Sequence, residues 1–340
     1  MADDKVRFGA IGLNHDHIYG QTNVLLKAGA ELVSFFAAEA DLAAAYQKKY
    51  PQAKLARSAD EILEDTSIHL IASAITPNER AGLGIKAMQH GKDFFSDKPG
   101  ITTLKDLEAA RNVQAQTHRI WSIFYGERLE SAATIKAAEL IRAGAIGKVV
   151  QTLGLGPHRA SFASRPPWFF NPQKYGGIIC DIGAHQADQF LFLTGSETAE
   201  VVCAQVANYH HPQYDGFEDY GDAILRSDNA TGYFRIDWFS PDGLNTWGDG
   251  RLTVIGSEGY IEIRKNVDIA GRTGGNHLFL VDNKKTEYID CSKMPLPFGQ
   301  NLVNDILHRT ETAMPQATCF MATEIALKAQ AAAKRLGHLK

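Results

Sequence analysis

At 340 residues the chain is about twice the usual ~150-residue domain, which points to two domains, or one large one, and excludes a stapled mini-protein. Hydrophobic residues make up 44% and charged residues 22%, with too little Gly and Pro for a low-complexity chain, so disorder and collagen are excluded. Lys plus Arg number 35 against 39 Asp plus Glu, without a basic block, so nucleic acid is not expected as a partner.

The segment Met1-Ala2-Asp3-Asp4-Lys5 leads straight into a strand pattern, without the charged and apolar stretches of a signal peptide. No later apolar run approaches the length of a membrane helix. Cys180, Cys203, Cys291 and Cys319 lie far apart with no C-x-x-C, and read as reduced thiols. A cytoplasmic protein with no membrane partner is expected.

From Lys5 to about Tyr125, short β-rich runs alternate with helical patterns, as in a parallel sheet wrapped by helices. Strands are predicted over Val6 to Ile11, Glu31 to Phe36, Ile68 to Ile75, Asp93 to Ser96 and Ile120 to Tyr125. Ser58-Ala59-Asp60-Glu61 reads as a capping box, and Gly29 and Gly91 stand where helix C-caps belong. This half is expected to be a doubly wound α/β domain. A helix near Glu130 to Ala143 follows, after which strands succeed one another with few long helices. They are predicted over Lys148 to Leu155, Glu200 to Asn208, Asp222 to Leu225, Thr231 to Trp238, Arg251 to Ile255, Tyr260 to Ile263 and Leu278 to Val281. One helix, Ile182 to Leu193, interrupts them, and two more, Asn301 to Thr310 and Cys319 to Arg335, close the chain. The second half is therefore expected to be α+β with a large open, mostly antiparallel sheet. The change in element order divides the chain into 1–125 and 126–340, with the closing helices placed to pack back on the first domain.

The first strand runs into Gly9-Ala10-Ile11-Gly12-Leu13-Asn14-His15-Asp16-His17, where a Rossmann fold carries its G-x-G-x-x-G phosphate loop. Gly12 fits that loop, while Asn14 and His17 hold the second and third glycine positions. A helix N-terminus still binds anions through free N–H groups, and two imidazoles add donors. The residue that reads the adenosine ribose belongs at the end of the second strand, where Ala37 stands. Glu39 can substitute from two residues on, and no arginine is at hand for a 2′-phosphate. The cofactor expected is NAD or NADP, with a lean to NAD. An H-x-H pair on a strand would place both rings of His15 and His17 on one face, but the pattern here is a turn. No metal is expected.

Two further strand ends carry Thr76-Pro77-Asn78-Glu79 and Asp97-Lys98-Pro99-Gly100, at the carboxyl edge where open α/β sheets bind ligands. Lys98 is placed there to handle a proton beside a hydride acceptor. In the second half, helical spacing puts Asp181, His185 and Asp188 at i, i+4 and i+7 on one polar stripe between apolar flanks. A half-buried Asp and His one turn apart form a general-base pair.

Together these motifs resemble the glucose-fructose oxidoreductase / inositol dehydrogenase (Gfo/Idh/MocA) family over nearly the whole chain. Thr76-Pro77-Asn78 matches, and Asp97-Lys98-Pro99 is similar to the family's Glu-Lys-Pro. Tyr125-Gly126-Glu127-Arg128 is similar to its Tyr-Asn-Arg-Arg, and Gly176-Gly177 through Asp188 resembles its Gly-Gly and D-x-x-x-H pattern. Asn14, His17 and Ala37 depart from it. The resemblance implies an NAD(P)-dependent dehydrogenase acting on a secondary hydroxyl of a sugar, sugar acid or cyclitol. His185 would be the base, Lys98 would stabilise the substrate oxygen, and Asp181 would orient substrate and imidazole. Cofactor contacts are expected from Gly12, Leu13, Asn14, His15, His17, Ala37, Glu39, Thr76, Pro77, Asn78, Asp97 and Lys98. The resemblance also implies a homodimer or homotetramer formed through the C-terminal sheet.

Substrate contacts are assigned to Asp181, His185, Trp168 and His158, with Tyr125, Arg128 and Arg159 as further candidates; for Trp168, packing against the sheet is the competing reading. The near-neutral charge suits an uncharged or weakly acidic small substrate. Two other readings stay open. One is a redox-neutral NAD-dependent glycosidase or lyase working through transient oxidation; the other is a non-catalytic nucleotide- or sugar-binding regulator.

Overall fold

The computed structural model describes residues 5–339; the opening Met1-Ala2-Asp3-Asp4 lies outside them. The chain divides into two compact units. The first comprises Met1–Phe124 and Pro297–Phe320, and the second Tyr125–Leu296 and Met321–Lys340. The first unit is thus discontinuous, taking in a helical segment from near the C-terminus.

In the first unit the elements run β1 (Arg7–Ile11), α1 (His17–Lys27), β2 (Glu31–Phe36), α2 (Ala40–Lys49), β3 (Lys54–Leu55), α3 (Ala59–Glu64), β4 (Leu70–Ser73), α4 (Pro77–Gln89), β5 (Asp93–Asp97), α5 (Leu104–Thr117) and β6 (Trp121–Phe124). All six strands are parallel, in the order β3-β2-β1-β4-β5-β6. This is the doubly wound Rossmann order, whose ligand crevice lies at the carboxyl strand ends. Strands β4, β5 and β6 are buried throughout, which explains why LIAS, DFFSD and WSIF lack polar alternation. Ser58 caps α3 by accepting the Glu61 N–H, and Gly29 and Gly91 adopt positive φ at helix ends. The Glu61 carboxylate does not close a reciprocal box; it accepts the Arg57 N–H instead, at 2.9 Å.

The second unit begins with α6 (Gly126–Leu129) and α7 (Ala132–Arg142), then β7 (Val149–Pro157), α8 (Pro172–Tyr175) and α9 (Ala184–Thr194). The strands β8 (Glu200–Asn208), β9 (Tyr220–Arg226), β10 (Thr231–Asp237), β11 (Arg251–Gly256), β12 (Gly259–Arg264), β13 (His277–Asp282) and β14 (Thr286–Asp290) follow. The chain closes with α10 (Phe298–His308) in the first unit, α11 (Gln316–Ala332) and β15 (Lys334–Gly337). Nine strands form one sheet, ordered β14-β13-β12-β11-β7-β10-β9-β8-β15, antiparallel except for the β7/β10 and β8/β15 pairs. One face packs Leu252, Val254, Ile261, Ile263, Leu278 and Leu280 against Ala133 and Ala137 of α7. Under α9 the sheet carries glycines because the helix comes too close for side chains. A Cβ on Gly154 would stand 2.1 Å from the Gln186 amide oxygen, and one on Gly232 would stand 2.6 Å from the Phe190 ring. Among the described residues no helix is long and apolar enough to cross a membrane.

Candidate active site

The carboxyl edge of the first sheet gathers several of the expected residues. At Gly12 φ is +75°, and a Cβ there would meet Ile75 at 2.4 Å, so only glycine passes between β1 and β4. The turn is tied down by His15 N–H to the Ala74 carbonyl at 3.0 Å, and α1 then begins at His17. Asn14 turns sideways and donates to the Glu39 carboxylate at 2.7 Å, linking the turn to the residue just beyond β2. Ala37 is buried at the end of β2, and Glu39 is exposed. Thr76 and Pro77 open α4, with Asn78 exposed beside them.

Asp97, the last residue of β5, is the hub of this edge. Its carboxylate accepts His17 Nδ1 at 2.8 Å, the Lys98 N–H at 2.7 Å and Arg80 at 3.0 Å, and His15 Nδ1 stands 3.5 Å away. Burial alone would raise this carboxyl, but the charges of His17, Arg80 and His15 outweigh it and hold it well below the usual carboxylate range. For His15 the direction is downward, through burial first and the neighbouring His17 second. Arg80 was not among the residues expected from sequence. It is wholly buried in α4 and also donates to the carbonyls of Ile75, at 2.7 Å, and Pro99, at 3.1 Å. One guanidinium thereby fastens the Thr76-Pro77-Asn78 turn to the Asp97-Lys98-Pro99 turn. Lys98 itself is almost fully buried. The rings of His15 and His17 meet edge to face, with centroids 4.0 Å apart.

In the second unit the run Ile179–Gly183 is a π-helical turn that leads into α9. Asp181 lies in that turn, partly exposed, and His185 is buried in the first turn of α9. The uniform i, i+4, i+7 stripe is therefore interrupted at its first member, and such insertions recur at functional sites. Asp188, the third member, is spent on a buried pair in which Arg128 donates through Nε and NH2 at 2.6 and 2.8 Å. Burial still pushes the Asp188 carboxyl above its ordinary value despite that partner. The ring of Tyr125 lies edge-on to His185 at 6.1 Å, and its hydroxyl meets Thr323 at 3.0 Å.

The sequence assigns no role to Lys265, and none to Glu127 beyond its place in the Tyr125–Arg128 motif. Their buried ion pair closes at 2.7 Å, and Glu127 also accepts the Gln186 amide at 2.8 Å. Burial would raise the Glu127 carboxyl, but the charges of Lys265, His185 and His158 outweigh it and bring it down to about 2. His158 Nδ1 lies 3.0 Å from the Gly156 carbonyl, and its ring packs on Trp238 and Trp247. Arg159 is occupied by the backbone carbonyls of Pro241 and Leu244. Trp168 stands in a short 3-10 turn beside Phe169, which packs in turn on Trp238.

The fold and these edges define a Rossmann-type unit followed by a large open-sheet unit. The model of the GFO/IDH/MocA C-terminal domain matches residues 134–262. A solved structure of a putative oxidoreductase from Erwinia carotovora atroseptica is 46% identical, covering 98% of this chain and 100% of that one with a TM-score of 0.96. The scyllo-inositol 2-dehydrogenase (NAD(+)) of Bacillus subtilis is 27% identical over 77% of this chain and 74% of its own length. A levoglucosan dehydrogenase solved with NADH and levoglucosan shares the fold, with a TM-score of 0.79 at 18% identity over 96% of this chain and 97% of that one. The chain belongs to the Gfo/Idh/MocA family of oxidoreductases.

Proposed function

We propose that the protein is an NAD-preferring dehydrogenase that oxidises a secondary hydroxyl of a sugar, sugar acid or cyclitol. The observation that carries this reading is the buried Arg80–Asp97 pair, which fixes Lys98 at the carboxyl end of β5 in a sheet of dinucleotide-binding order. The chain's residues suit the cofactor. Gly12 leaves room for a close backbone approach, α1 presents its N-terminus, and Glu39, held by Asn14, supplies a carboxylate for ribose hydroxyls. Leu13, His15, His17, Ala37, Thr76, Pro77, Asn78, Asp97 and Lys98 complete the proposed cofactor contacts. When bound, nicotinamide supplies the hydride acceptor. His185 takes the hydroxyl proton at a ring nitrogen, Lys98 donates to the same oxygen and stabilises its developing charge, and Asp181 orients substrate and imidazole.

Tyr125, His158, Arg159 and Trp168 are proposed to shape the substrate side. Arg128, with its fork given to Asp188, acts by holding α9. The scyllo-inositol and levoglucosan named for the two relatives support a cyclic polyol as substrate. A sheet face bearing the exposed Ile224, Tyr260 and Tyr288 supports self-association into a homodimer or homotetramer, and the molar mass in solution tests it.

A panel of sugars, sugar acids and inositols with NAD and NADP tests the function. Reduced cofactor should form with at least one polyol, and NAD should raise the melting temperature. No thermal shift with either cofactor at millimolar concentration would overturn the reading. His185→Ala and Lys98→Met should each cut turnover ~10²-fold or more with cofactor binding kept; near-normal rates in both would refute their roles.

A further inference from the structure

We propose that Glu127, backed by Lys265, is a positioning residue for His185: it fixes the first turn of α9, and its buried negative charge supports the imidazolium that forms when His185 takes the substrate proton. The proposal rests on the dehydrogenase reading for the role of His185, and one arm of its test needs neither cofactor nor substrate.

Four buried side chains form one cluster: Glu127 of α6, Lys265 just beyond β12, and Gln186 and Gln189 of α9. Lys265 Nζ donates to Glu127 Oε2 at 2.7 Å and to the Gln189 amide oxygen at 2.5 Å. The same Oε2 accepts the amides of Gln186 at 2.8 Å and Gln189 at 3.3 Å. Gln189 also donates to the His185 carbonyl at 3.0 Å. The residue after His185, and the backbone of His185 itself, are thereby tied to one carboxylate. Strand β7 leaves space for the cluster, since a Cβ on Gly156 would stand 3.0 Å from the Gln186 amide nitrogen and 3.2 Å from Glu127 Oε1.

The carboxylate is used unevenly. Its three donors all go to Oε2, while Oε1 is buried with no hydrogen-bond partner. An ionised oxygen left in this way costs free energy, and anchoring α9 does not require it, because anchoring uses Oε2. The charges that act on Glu127 are those of Lys265, then His185 and His158. Lys265 keeps the carboxylate ionised inside the protein, and that carboxylate in turn favours a protonated imidazole at His185. Within this unit the other titratable and charged groups about His185 are Tyr125, with its ring at 6.1 Å, His158 at the end of β7, Asp181 in the π turn, and the Arg128–Asp188 pair. These stay constant in the variants below, as does Lys98, assigned above to the same substrate oxygen.

Oxidation needs a neutral imidazole to take the hydroxyl proton, so the acid limb of kcat against pH follows His185. Glu127→Gln removes the carboxylate and unmasks the Lys265 ammonium. The limb should move to lower pH by about one unit or more, and the plateau kcat should fall roughly ten-fold with KM kept within about two-fold. Adding Lys265→Met removes the ammonium as well and should bring the limb back toward the parent position. Glu139→Gln, at an exposed site on α7, should match the parent throughout. Isotope-labelled histidine gives the second arm: the His185 ring resonance, assigned by its loss in His185→Ala, should titrate with the same displacements in the enzyme alone. If no polyol is oxidised while the resonance moves as stated, the dehydrogenase reading fails and the coupling of Glu127 to His185 stands. Circular dichroism melts establish folding; if Glu127→Gln does not fold, Lys265→Met carries the test with the opposite sign, its limb and resonance moving to higher pH. A limb and resonance at the parent position in the folded single variant, or a double variant displaced as far as Glu127→Gln, would overturn the proposal.

Discussion

Two buried arginine–aspartate pairs, one in each unit, share a chemistry and differ in their surroundings. In the first unit, Arg80 divides its donors between Asp97 and backbone carbonyls, and two histidines crowd the same carboxylate. In the second, Arg128 gives Nε and NH2 to Asp188. The carboxyl groups move in opposite directions: Asp97 falls well below its ordinary value and Asp188 rises above it. Three cations around Asp97 outweigh its burial, whereas Arg128 and Lys265 together do not outweigh that of Asp188. An over-compensated carboxylate marks an edge arranged around charge, and an under-compensated one marks a strut between helices.

The largest expected effect tests the strut. Arg128→Met leaves Asp188 buried and unpaired, and should cost about 3–5 kcal/mol in chemical denaturation. Adding Asp188→Leu should restore most of that loss, since well-packed apolar residues replace a buried pair at little cost. Failure of the double variant to recover would mean that the pair does more than join α6 to α9. The corresponding double change at Arg80 and Asp97 is expected to abolish turnover even where folding survives, because Lys98 loses its support.

A second test uses pH on the neighbouring pair. Glu127 has an ordinary carboxyl value of 4.5 and is brought down to about 2 in the folded protein. Its folded value lies below its unfolded one, so its contribution is fully present above 4.5 and is lost as pH falls toward 2. Glu127→Gln should therefore be less stable than the parent at neutral pH, with the gap closing between those two values. Urea unfolding across that window measures it, and a gap independent of pH would show that the carboxylate is not the source.

These pairs also explain where the sequence could and could not be read. Glu31–Phe36 and Glu200–Asn208 were legible to the residue, because long β-rich runs between turn signals carry their own period. The helix after Ile182 was legible, but the π turn at Ile179–Gly183 was not, since one extra residue per turn leaves no compositional trace. Lys54–Leu55 is too short to show a pattern, and Lys334–Gly337, which the sequence continues as helix to Arg335, becomes a strand by pairing beside β8. Thr286–Asp290 alternates only exposed and half-exposed residues, so no apolar stripe announces it. The roles of Arg80, Glu127 and Lys265 stayed hidden for another reason. Glu127 and Lys265 meet across 138 residues, and no local spacing encodes such a partner. Arg128, placed by its motif among substrate contacts, meets Asp188 across 60 residues in the same way.

The smallest effect concerns the outer part of the first edge, where charge is exposed rather than buried. Glu39 is held by Asn14 at 2.7 Å beyond the end of β2, in the run Ala37-Ala38-Glu39-Ala40-Asp41, which brings no arginine of its own for a 2′-phosphate. Its carboxylate suits ribose hydroxyls and repels a phosphate there. Glu39→Gln removes the repulsion without adding a cation, and should move the NADP-to-NAD ratio of kcat/KM toward NADP by roughly ten-fold, about 1.4 kcal/mol. Asn14→Ala frees the carboxylate without removing its charge, so it should weaken NAD binding while leaving the ratio in favour of NAD. Equal ratios in parent and Glu39→Gln would place cofactor discrimination elsewhere. The comparison between the two units would then narrow to the buried Asp97 hub, since the exposed rim of that edge would carry no selectivity.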